Sequence, residues 1–169
     1  MNAVSDQLVR PNGKFATKPR DLHTPEFVSR VVRLYRIFND AAPLGLTKTV
    51  FDMIDEHIEQ LRELNGVLSH DFPMLYAEYQ SARAALEASG LDIVPCCNDP
   101  ALRNFLISDD GRITMVDFEY ASNNDRCYDL GTWCSEMLLT EEQQNEAIEH
   151  YFGTVSTIIQ SRMFLYRML

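Results

Sequence analysis

Hydrophobic residues recur at three- and four-residue steps over most of the chain, a spacing typical of amphipathic helices packed on a core. Thr24 and Pro25 suit the start of a first helix. Its apolar positions are Phe27, Val28, Val31, Leu34, Tyr35 and Phe38. The same spacing predicts helices from Thr47 to Asn65, after Pro73 up to Gly90, after Asp125, after Thr140 with Gln143 as a capping box, and from Val155 to Leu169.

The pattern changes in the middle of the chain, where short runs rich in Ile, Val, Leu and Phe predict β-strands. These runs are Asp92 to Cys96, Asn104 to Ser108 and Arg112 to Phe118. Asp109-Asp110-Gly111 predicts a hairpin turn between the last two, because Asp-Gly supplies the positive φ that such turns need. The predicted fold class is therefore α+β, a mostly helical domain with a small hairpin near its middle. Residues 1–21 are polar and without a sustained period, so we expect an irregular lead-in there.

Composition and charge narrow the classes of function. A chain of 169 residues with 46% hydrophobic residues is expected to form one globular domain. Its net charge of -10 argues against a nucleic acid or an anionic membrane as partner. The sequence has no signal-peptide pattern and no apolar run long enough to span a membrane. Together with four cysteines in no disulfide or metal-binding pattern, this predicts a cytoplasmic protein with reduced thiols.

Polar residues suited to chemistry concentrate on the predicted hairpin. Asn104 follows Asp99 after five residues, and Asp117 stands near the end of the third strand-like run. A short loop lets Asp99 and Asn104 face one pocket, the first to accept a hydroxyl proton and the second to hold Mg²⁺. Asp117 is placed to supply a second Mg²⁺ ligand. The spacing predicts phosphoryl transfer, while an Asx turn at Asp99 before Pro100 and a strand-end cap at Asp117 are the alternative interpretations.

Two segments also resemble a known family. They are P-C-C-N-D-P-A-L-R-N-F-L, from Pro95, and M-V-D-F-E-Y-A-S-N-N-D-R-C-Y-D-L-G, from Met115. Both resemble the choline and ethanolamine kinases, within the wider aminoglycoside phosphotransferase-like group of protein-kinase-like fold. The likeness is specific in the central 40 or so residues and looser over the rest of the chain from Pro25 onwards. It implies that residues 22–169 form the C-terminal lobe of such a kinase.

The resemblance implies a complete set of catalytic roles. ATP would be the phosphoryl donor and Mg²⁺ the metal, with Asp99 as the base and Asn104 and Asp117 as the metal ligands. The acceptor would be the hydroxyl of a small cationic alcohol such as choline. An aminoglycoside is the alternative acceptor, because it is also a cation and the sequence does not reveal the size of the pocket.

In the choline kinase branch, acidic and aromatic side chains enclose a quaternary ammonium group, by charge attraction and cation-π contact. The residues that this implies here are Glu119, Tyr120, Trp133 and Glu136. Two of them have alternative interpretations, since Trp133 also suits the hydrophobic core and Glu136 also suits a solvated helix face.

Cys97 departs from the family pattern, because it stands where the catalytic loop of the family carries a histidine. A thiol fills the space but offers weaker hydrogen bonds than an imidazole. The resemblance also implies that Asp129 is a buried acid that supports the catalytic loop from the following helix. Cys97 and Asp129 are thus expected to be structural supports of the loop.

A second departure concerns the nucleotide-binding N-terminal lobe, which we expect to be absent. All seven glycines are isolated, so no Gly-rich phosphate loop is found. This favours an alternative function, a catalytically silent kinase-like lobe or fragment that acts as a binding module. A surface left exposed where the other lobe would pack also leaves a homodimer open.

Overall fold

The computed structural model describes residues 13–15, 24–108, 110 and 112–169. The helices within these residues are α1 (Pro25–Asn39), α2 (Val50–Glu63), α3 (Phe72–Ala88), α4 (Arg126–Glu136), α5 (Glu141–Phe152) and α6 (Thr157–Met168). The strands are β1 (Gly13–Phe15), β2 (Ile93–Cys96), β3 (Phe105–Ser108), β4 (Ile113–Met115) and β5 (Ser122–Asp125). The predicted fold class, a mostly helical α+β domain with a small sheet in its middle, is confirmed.

The strands form two small antiparallel sheets. In the first, β3 lies between β1 and β4, and in the second β2 pairs with β5. Strands β3 and β4 are the predicted hairpin. In its turn, the Asp110 carboxylate accepts a hydrogen bond from the N–H group of Arg112 (3.1 Å), while Asp109 and Gly111 lie outside the described residues. The hairpin follows the loop of Asp99 directly and therefore sets the position of the candidate site.

Two strands differ from the expectation. Strand β1 lies inside residues 1–21, where we expected no regular structure, and the edge of β3 provides a pairing partner that the local sequence cannot reveal. The rest of that lead-in lies outside the described residues. Strand β5 was not predicted because its sequence, S-N-N-D, is polar throughout. All four of its residues are nevertheless buried, so this strand is held by hydrogen bonds instead of apolar packing.

Helix α1 starts where the sequence predicts. The Thr24 hydroxyl accepts a hydrogen bond from the N–H group of Phe27 (3.4 Å), and Pro25 occupies the first turn, where a missing N–H costs nothing. The buried face carries Val28, Val31, Val32 and Tyr35. The hydrophobic stripe read from the sequence is therefore the face that α1 turns to the core.

Helix α2 is capped two residues later than predicted, at Thr49 instead of Thr47. The capping residue is Thr49, whose hydroxyl accepts from the N–H group of Asp52 (3.3 Å), while the Asp52 carboxylate accepts from the N–H group of Thr49 (2.7 Å). Thr47, the expected cap, instead forms an isolated bridge to Asn123 of β5. Both threonines suit a cap locally, but only Thr49 is followed three residues later by an acid that completes a capping box.

The later helices follow the pattern closely. Thr140 and Gln143 form the predicted capping box of α5. Helix α6 begins at Thr157, after a Ser156 cap, and not at Val155, because the Ser156 hydroxyl accepts from the N–H group of Ile159 (3.3 Å). In the described part of the chain, no helix has the length and apolar character needed to cross a membrane.

The core lies between α1, α4, α5 and α6. Trp133 of α4 is fully buried, with its ring centre 6.0 Å from that of Tyr35, which in turn lies 6.2 Å from Phe105. Gly131 allows α4 and α6 to approach closely, since a Cβ atom there would lie 3.2 Å from the carbonyl oxygen of Met163. The backbone of α4, which follows β5, is thus fixed against two helices.

All four cysteines are unpaired and buried. Burial raises the pKa of each thiol, to about 12 for Cys127 and Cys134. We expect a thiol reagent at pH 8 to modify less than one cysteine per chain in the folded protein and all four in urea. Rapid native modification of two or more thiols would contradict the buried placement.

The same thiols predict how stability depends on pH. Because their pKa values are raised by folding, their contribution is fully present below the unfolded pKa of about 8.5 and is lost as the pH rises towards the folded values. The free energy of unfolding should fall above pH 8.5, by up to about 1.4 kcal/mol per pH unit for each thiol. Urea titrations at pH 7.5, 8.5 and 9.5 measure this, and Cys134→Ala should reduce the slope.

Candidate active site

The loop after β2 carries Asp99 and enters β3 through a single 3-10 turn, Leu102–Asn104. The side-chain amide of Asn104 donates a hydrogen bond to the carbonyl oxygen of Asp99 (3.2 Å) and so closes the five-residue loop. Asn104 is buried, while the Asp99 side chain keeps 15% of its surface exposed. The structure therefore brings the candidate base and one candidate metal ligand together on one short loop.

The Asp99 carboxylate is oriented by its neighbours. Oδ1 accepts a hydrogen bond from the N–H group of Ala101 (3.2 Å), which is the Asx turn that the sequence left open as an alternative. Oδ2 lies 3.3 Å from Nη2 of Arg103, an exposed side chain whose charge is screened by water. Each oxygen keeps a lone pair for a further donor such as a hydroxyl group. The turn thus fixes the direction of the side chain and leaves its basic atoms usable.

Asp129, in the first turn of α4, holds the same loop from inside the protein. Its carboxylate accepts from the N–H groups of Cys97 (3.0 Å) and Asn98 (2.9 Å), and the Cys97 thiol donates to Oδ1 (3.4 Å). Only 1% of Asp129 is exposed, and this burial raises its pKa, while the N–H donors act in the opposite direction. Cys97 therefore contacts Asp129 through both its backbone and its side chain, at the position where the family pattern has a histidine.

Asn39, the last residue of α1, connects Asp129 to two further elements. Its amide nitrogen donates to Asp129 Oδ2 (3.2 Å) and to the carbonyl oxygen of Pro95 (2.6 Å). Its amide oxygen accepts from the hydroxyl of Tyr151 on α5 (2.6 Å). Sequence reasoning missed this role, because an asparagine at a helix end usually forms a solvated cap.

Asp117 lies two residues beyond β4 on an exposed loop. Its φ of +67° is in the left-handed region, which is uncommon for any residue except glycine. Among the described residues, no hydrogen bond or ion pair reaches its carboxylate, so the structure gives no support to the alternative of a strand-end cap. The N–H group of Val116 donates to the carbonyl oxygen of Asn104 (3.0 Å). This bond joins the two segments that carry the candidate metal ligands.

Phe118 anchors the Asp117 loop to α1. Its ring stacks on that of Phe38, with ring centres 5.2 Å apart and planes inclined by 25°. Phe118 remains 43% exposed, so the contact covers one face of the ring. The loop is thus held on one side by β4 and on the other by an aromatic pair.

The oxygen atoms available fit a hard cation. In the described part of the chain, no group of three or more His, Cys, Asp or Glu side chains is arranged to hold a metal. Among the described residues, the candidate ligands for Mg²⁺ are the Asn104 amide oxygen and the Asp117 carboxylate. That is compatible with Mg²⁺, which usually keeps several waters and binds one or two carboxylates together with phosphate oxygens.

The four candidate substrate residues are not brought together. Trp133 has no exposed surface and packs in the core, so this expectation is corrected in favour of the alternative interpretation. Glu119 and Tyr120 are exposed on the turn after Asp117, and 58% of Tyr120 is accessible. Glu136, at the end of α4, lines a different surface, a cavity next to the loop of Asp99.

This cavity has a volume of about 460 Å³ and adjoins Pro100, the residue after the candidate base. Its lining includes Glu136 and the aromatic residues Tyr128 and Tyr166, whose rings meet edge to face at 5.7 Å. Burial raises the pKa of Tyr128 to about 12, so its ring stays neutral. Arg167 also lines the cavity, and its guanidinium donates to the Gln144 side chain (3.0 Å). The cavity thus offers one carboxylate and the partly exposed ring of Tyr128 beside Pro100, while the ring of Tyr166 is buried behind it.

Sequence reasoning missed the aromatic part of this cavity. Tyr128 and Tyr166 occupy helical core positions in the pattern, and only the packing of α4 against α6 shows that they meet. The one available signal was the position of Tyr128, directly before Asp129 in the motif that carries the family resemblance.

Comparison with known proteins gives a consistent result. The family model for choline/ethanolamine kinases matches residues 13–161. Protein LicA of Haemophilus influenzae is 29% identical to this chain over 133 residues, which are 77% of this chain and 38% of LicA. A second LicA sequence, from strain Rd of that species, is 27% identical to this chain over 133 residues, which are 49% of that LicA sequence.

Solved structures share the fold. A choline/ethanolamine kinase family protein from Mesorhizobium loti superposes with a TM-score of 0.80 and 27% identity, over 94% of this chain and 55% of that protein. Choline kinase LicA from Streptococcus pneumoniae gives a TM-score of 0.76 at 20% identity, over 93% of this chain and 59% of that one. A spectinomycin phosphotransferase, solved with ADP and spectinomycin, gives 0.58 at 14% identity, over 95% of this chain and 55% of that one.

The chain spans less than half of the length of the two LicA sequences and a little over half of these solved structures. The family match, in contrast, covers most of the chain, from the first described strand to α6. This protein belongs to the choline/ethanolamine kinase family.

Proposed function

We propose that this chain carries the catalytic lobe of a phosphotransferase of the choline/ethanolamine kinase type, which transfers a phosphoryl group from ATP to the hydroxyl of a small cationic alcohol such as choline. The observation that carries the proposal is the linked pair of loops. Asp99 and Asn104 are joined by a 3.2 Å hydrogen bond, and the backbone of Asn104 is bonded to the segment that leads into Asp117. Phosphoryl transfer depends mainly on such positioning.

In this proposal Asp99 accepts the proton of the acceptor hydroxyl. The Asx turn directs its carboxylate and the contacts of the loop with Asp129 fix its backbone, so the base needs little rearrangement when an alcohol binds. Arg103, which is exposed, can turn away from Oδ2 at small cost. The chain therefore contributes a positioned base.

Asn104 and Asp117 would hold Mg²⁺ at the phosphates of ATP. When bound, this ion neutralises negative charge on the phosphate oxygens. The use of an adenine nucleotide is supported by two fold relatives, a LicA structure in complex with AMP and the spectinomycin phosphotransferase with ADP. The unpaired state of all four cysteines supports a reducing compartment such as the cytoplasm.

The cavity beside Pro100 is the proposed acceptor site. Its Glu136 carboxylate attracts an ammonium group, and the partly exposed ring of Tyr128 can receive it by cation-π contact. A second cavity, of about 630 Å³ along α1, is lined by Arg30, Arg33 and Arg36 and would repel a cation. Because Arg167 also lines the first cavity, the aromatic ring of Tyr128 and the nearness of Pro100 to the base, and not net charge, favour it as the acceptor site.

An aminoglycoside acceptor is the second candidate, and the observation that favours it is the fold shared with the spectinomycin phosphotransferase. A parallel assay of phosphate transfer from ATP and Mg²⁺ to choline, ethanolamine and spectinomycin tests both candidates. Transfer to choline or ethanolamine alone supports the first. A folded chain that transfers to none but binds choline, as measured by calorimetry, would be a silent binding module.

Asp99→Asn should abolish most of this transfer. The substitution keeps the size of the side chain and removes its basicity, and loss of a general base typically costs about 10²–10⁴-fold in rate. The measurement is kcat for the best acceptor, with circular dichroism as a check on folding. Asp71→Asn is the matched control, because Asp71 is exposed at the start of α3 and makes no capping hydrogen bond. Equal rates for both variants would exclude Asp99 as the base.

Asp117→Asn should raise the Mg²⁺ concentration required for half-maximal transfer. Loss of a residue that only supports a metal ligand typically costs about 10–100-fold in metal affinity or activity, and loss of a ligand carboxylate should cost at least as much. Rates are measured across a Mg²⁺ series at saturating ATP, with Asp71→Asn again as the control. A Mg²⁺ dependence equal to that of the wild type would contradict the assignment.

Glu136→Gln should raise the KM for choline by about tenfold, which corresponds to about 1.4 kcal/mol, because it removes the carboxylate but keeps the shape of the side chain. The KM for ATP should stay the same. Glu142→Gln on the exposed first turn of α5 is the control for net charge. An unchanged KM for choline would show that this cavity is not the acceptor site.

A further inference from the structure

Asn98 stands between Cys97 and Asp99 and has an unusual backbone. Its φ of +58° lies in the left-handed region, in which asparagine is several-fold enriched but still uncommon. Its N–H group is fixed by Asp129, as described above. The direction in which the chain enters Asp99 is thus set at Asn98.

The side chain of Asn98 is fully engaged with the segment after Asp117. Its amide nitrogen donates to the carbonyl oxygen of Tyr120 (2.9 Å) and to the hydroxyl of Ser122 (2.8 Å). Its amide oxygen accepts from the side-chain amide of Asn124 (3.0 Å). Both hydrogens of the amide and one lone pair of its oxygen are therefore used, all by residues just beyond the Asp117 loop.

The partners of Asn98 are themselves fixed. Ser122 and Asn124 belong to β5, and only 1% of each is exposed. The Ser122 hydroxyl donates to the carbonyl oxygen of Lys48 (2.7 Å), and the Asn124 amide oxygen accepts from the N–H group of Val50 (3.3 Å). Asn98 thus binds to a segment that is held in turn by the start of α2.

We propose that Asn98 is a positioning residue, whose side-chain amide couples the loop of the base Asp99 to the loop of the metal ligand Asp117. The proposal rests on the function proposed above. Phosphoryl transfer needs the base and the metal in a fixed relation, and a shift of about 1 Å can cost about 100-fold in rate. The bond between Val116 and Asn104 joins the two loops at one end, and Asn98 joins them at the other.

A simpler role for Asn98 is to provide only the left-handed turn. Glycine adopts this conformation without strain and lacks the amide, so Asn98→Gly separates the two roles. The chain offers a matched control in Asn65, an exposed residue after α2 with a φ of +53°. Asn65→Gly makes the same change in the same backbone conformation, away from both loops.

The first measurement is the kinetics of phosphate transfer. For Asn98→Gly we expect kcat to fall by about 10–100-fold, the usual cost of losing a residue that supports a metal site. The KM for the alcohol should change by less than about threefold, because the acceptor cavity is not touched. Asn65→Gly should match the wild type. A kcat for Asn98→Gly equal to that of an active wild type would overturn the proposal.

The second measurement is hydrogen exchange of residues 117–122, which requires no activity. Exchange there should be faster in Asn98→Gly than in the wild type and in Asn65→Gly, because the Asp117 loop loses its attachment to Asn98. If the wild type transfers no phosphate to any acceptor, the proposed function fails, and exchange alone decides whether the loops are coupled. Unchanged exchange in this segment would overturn the coupling in either case.

Ser122→Ala provides a second test if Asn98→Gly does not fold. It removes one of the two acceptors of the Asn98 amide, together with the hydrogen bond from Ser122 to Lys48, and leaves the backbone of the Asp99 loop intact. We expect a smaller fall in kcat and a smaller increase in exchange at residues 117–122, both in the same direction as for Asn98→Gly. Exchange and kcat equal to those of the wild type would overturn the proposal.

Discussion

The site depends above all on the buried carboxylate of Asp129. A carboxylate with 1% exposure is costly unless hydrogen bonds replace its water, and here the donors come from Cys97, Asn98 and Asn39. Removal of Asp129 would leave the buried N–H group of Cys97 without its acceptor, at a cost of about 1–3 kcal/mol, and would take one of two acceptors from the Asn39 amide. The loop of Asp99, the end of α1 and the start of α4 are therefore held by one set of mutually dependent bonds.

The same principle extends to β5, where every residue is polar and buried. Asn123 bonds through its side chain to both backbone groups of Leu44, while Asn124 receives the N–H group of Val50 at the start of α2. A fully satisfied polar network specifies one arrangement more strictly than apolar packing does, because each shifted group would lose a partner in a site closed to water. The connection between α1 and α2 is thus fixed to the loop of Asp99 by hydrogen bonds, through the contacts of Asn98 with Ser122 and Asn124.

The limits of sequence reasoning follow from this. Helices α1 and α5 and the β3–β4 hairpin were predicted correctly, because their signals are local: a cap, a hydrophobic stripe, an Asp-Gly turn. The cap of α2 was misplaced although its signal is local, because Asp52 completes a capping box with Thr49 and no acid stands three residues after Thr47. The pairing of Thr47 with Asn123, in contrast, is not visible in the local sequence. Strand β5 and the role of Asn39 depend on partners far away in the chain. Trp133 was correctly placed on α4, but its packing against Tyr35 removes it from any pocket.

Structural support and the proposed chemistry fall on different residues in this candidate site. Asp129 and the β5 residue Asn124 are buried and bonded to several elements, so changes there should damage the fold together with the site. Asp99 and Asp117 are more exposed, and neither carboxylate holds elements together. Replacing them should therefore alter chemistry at little cost in stability. Cys97 belongs to the supporting residues, because both its thiol and its N–H group donate to Asp129. A substitution of Cys97 should therefore change the rigidity of the loop before it changes any chemistry at Asp99.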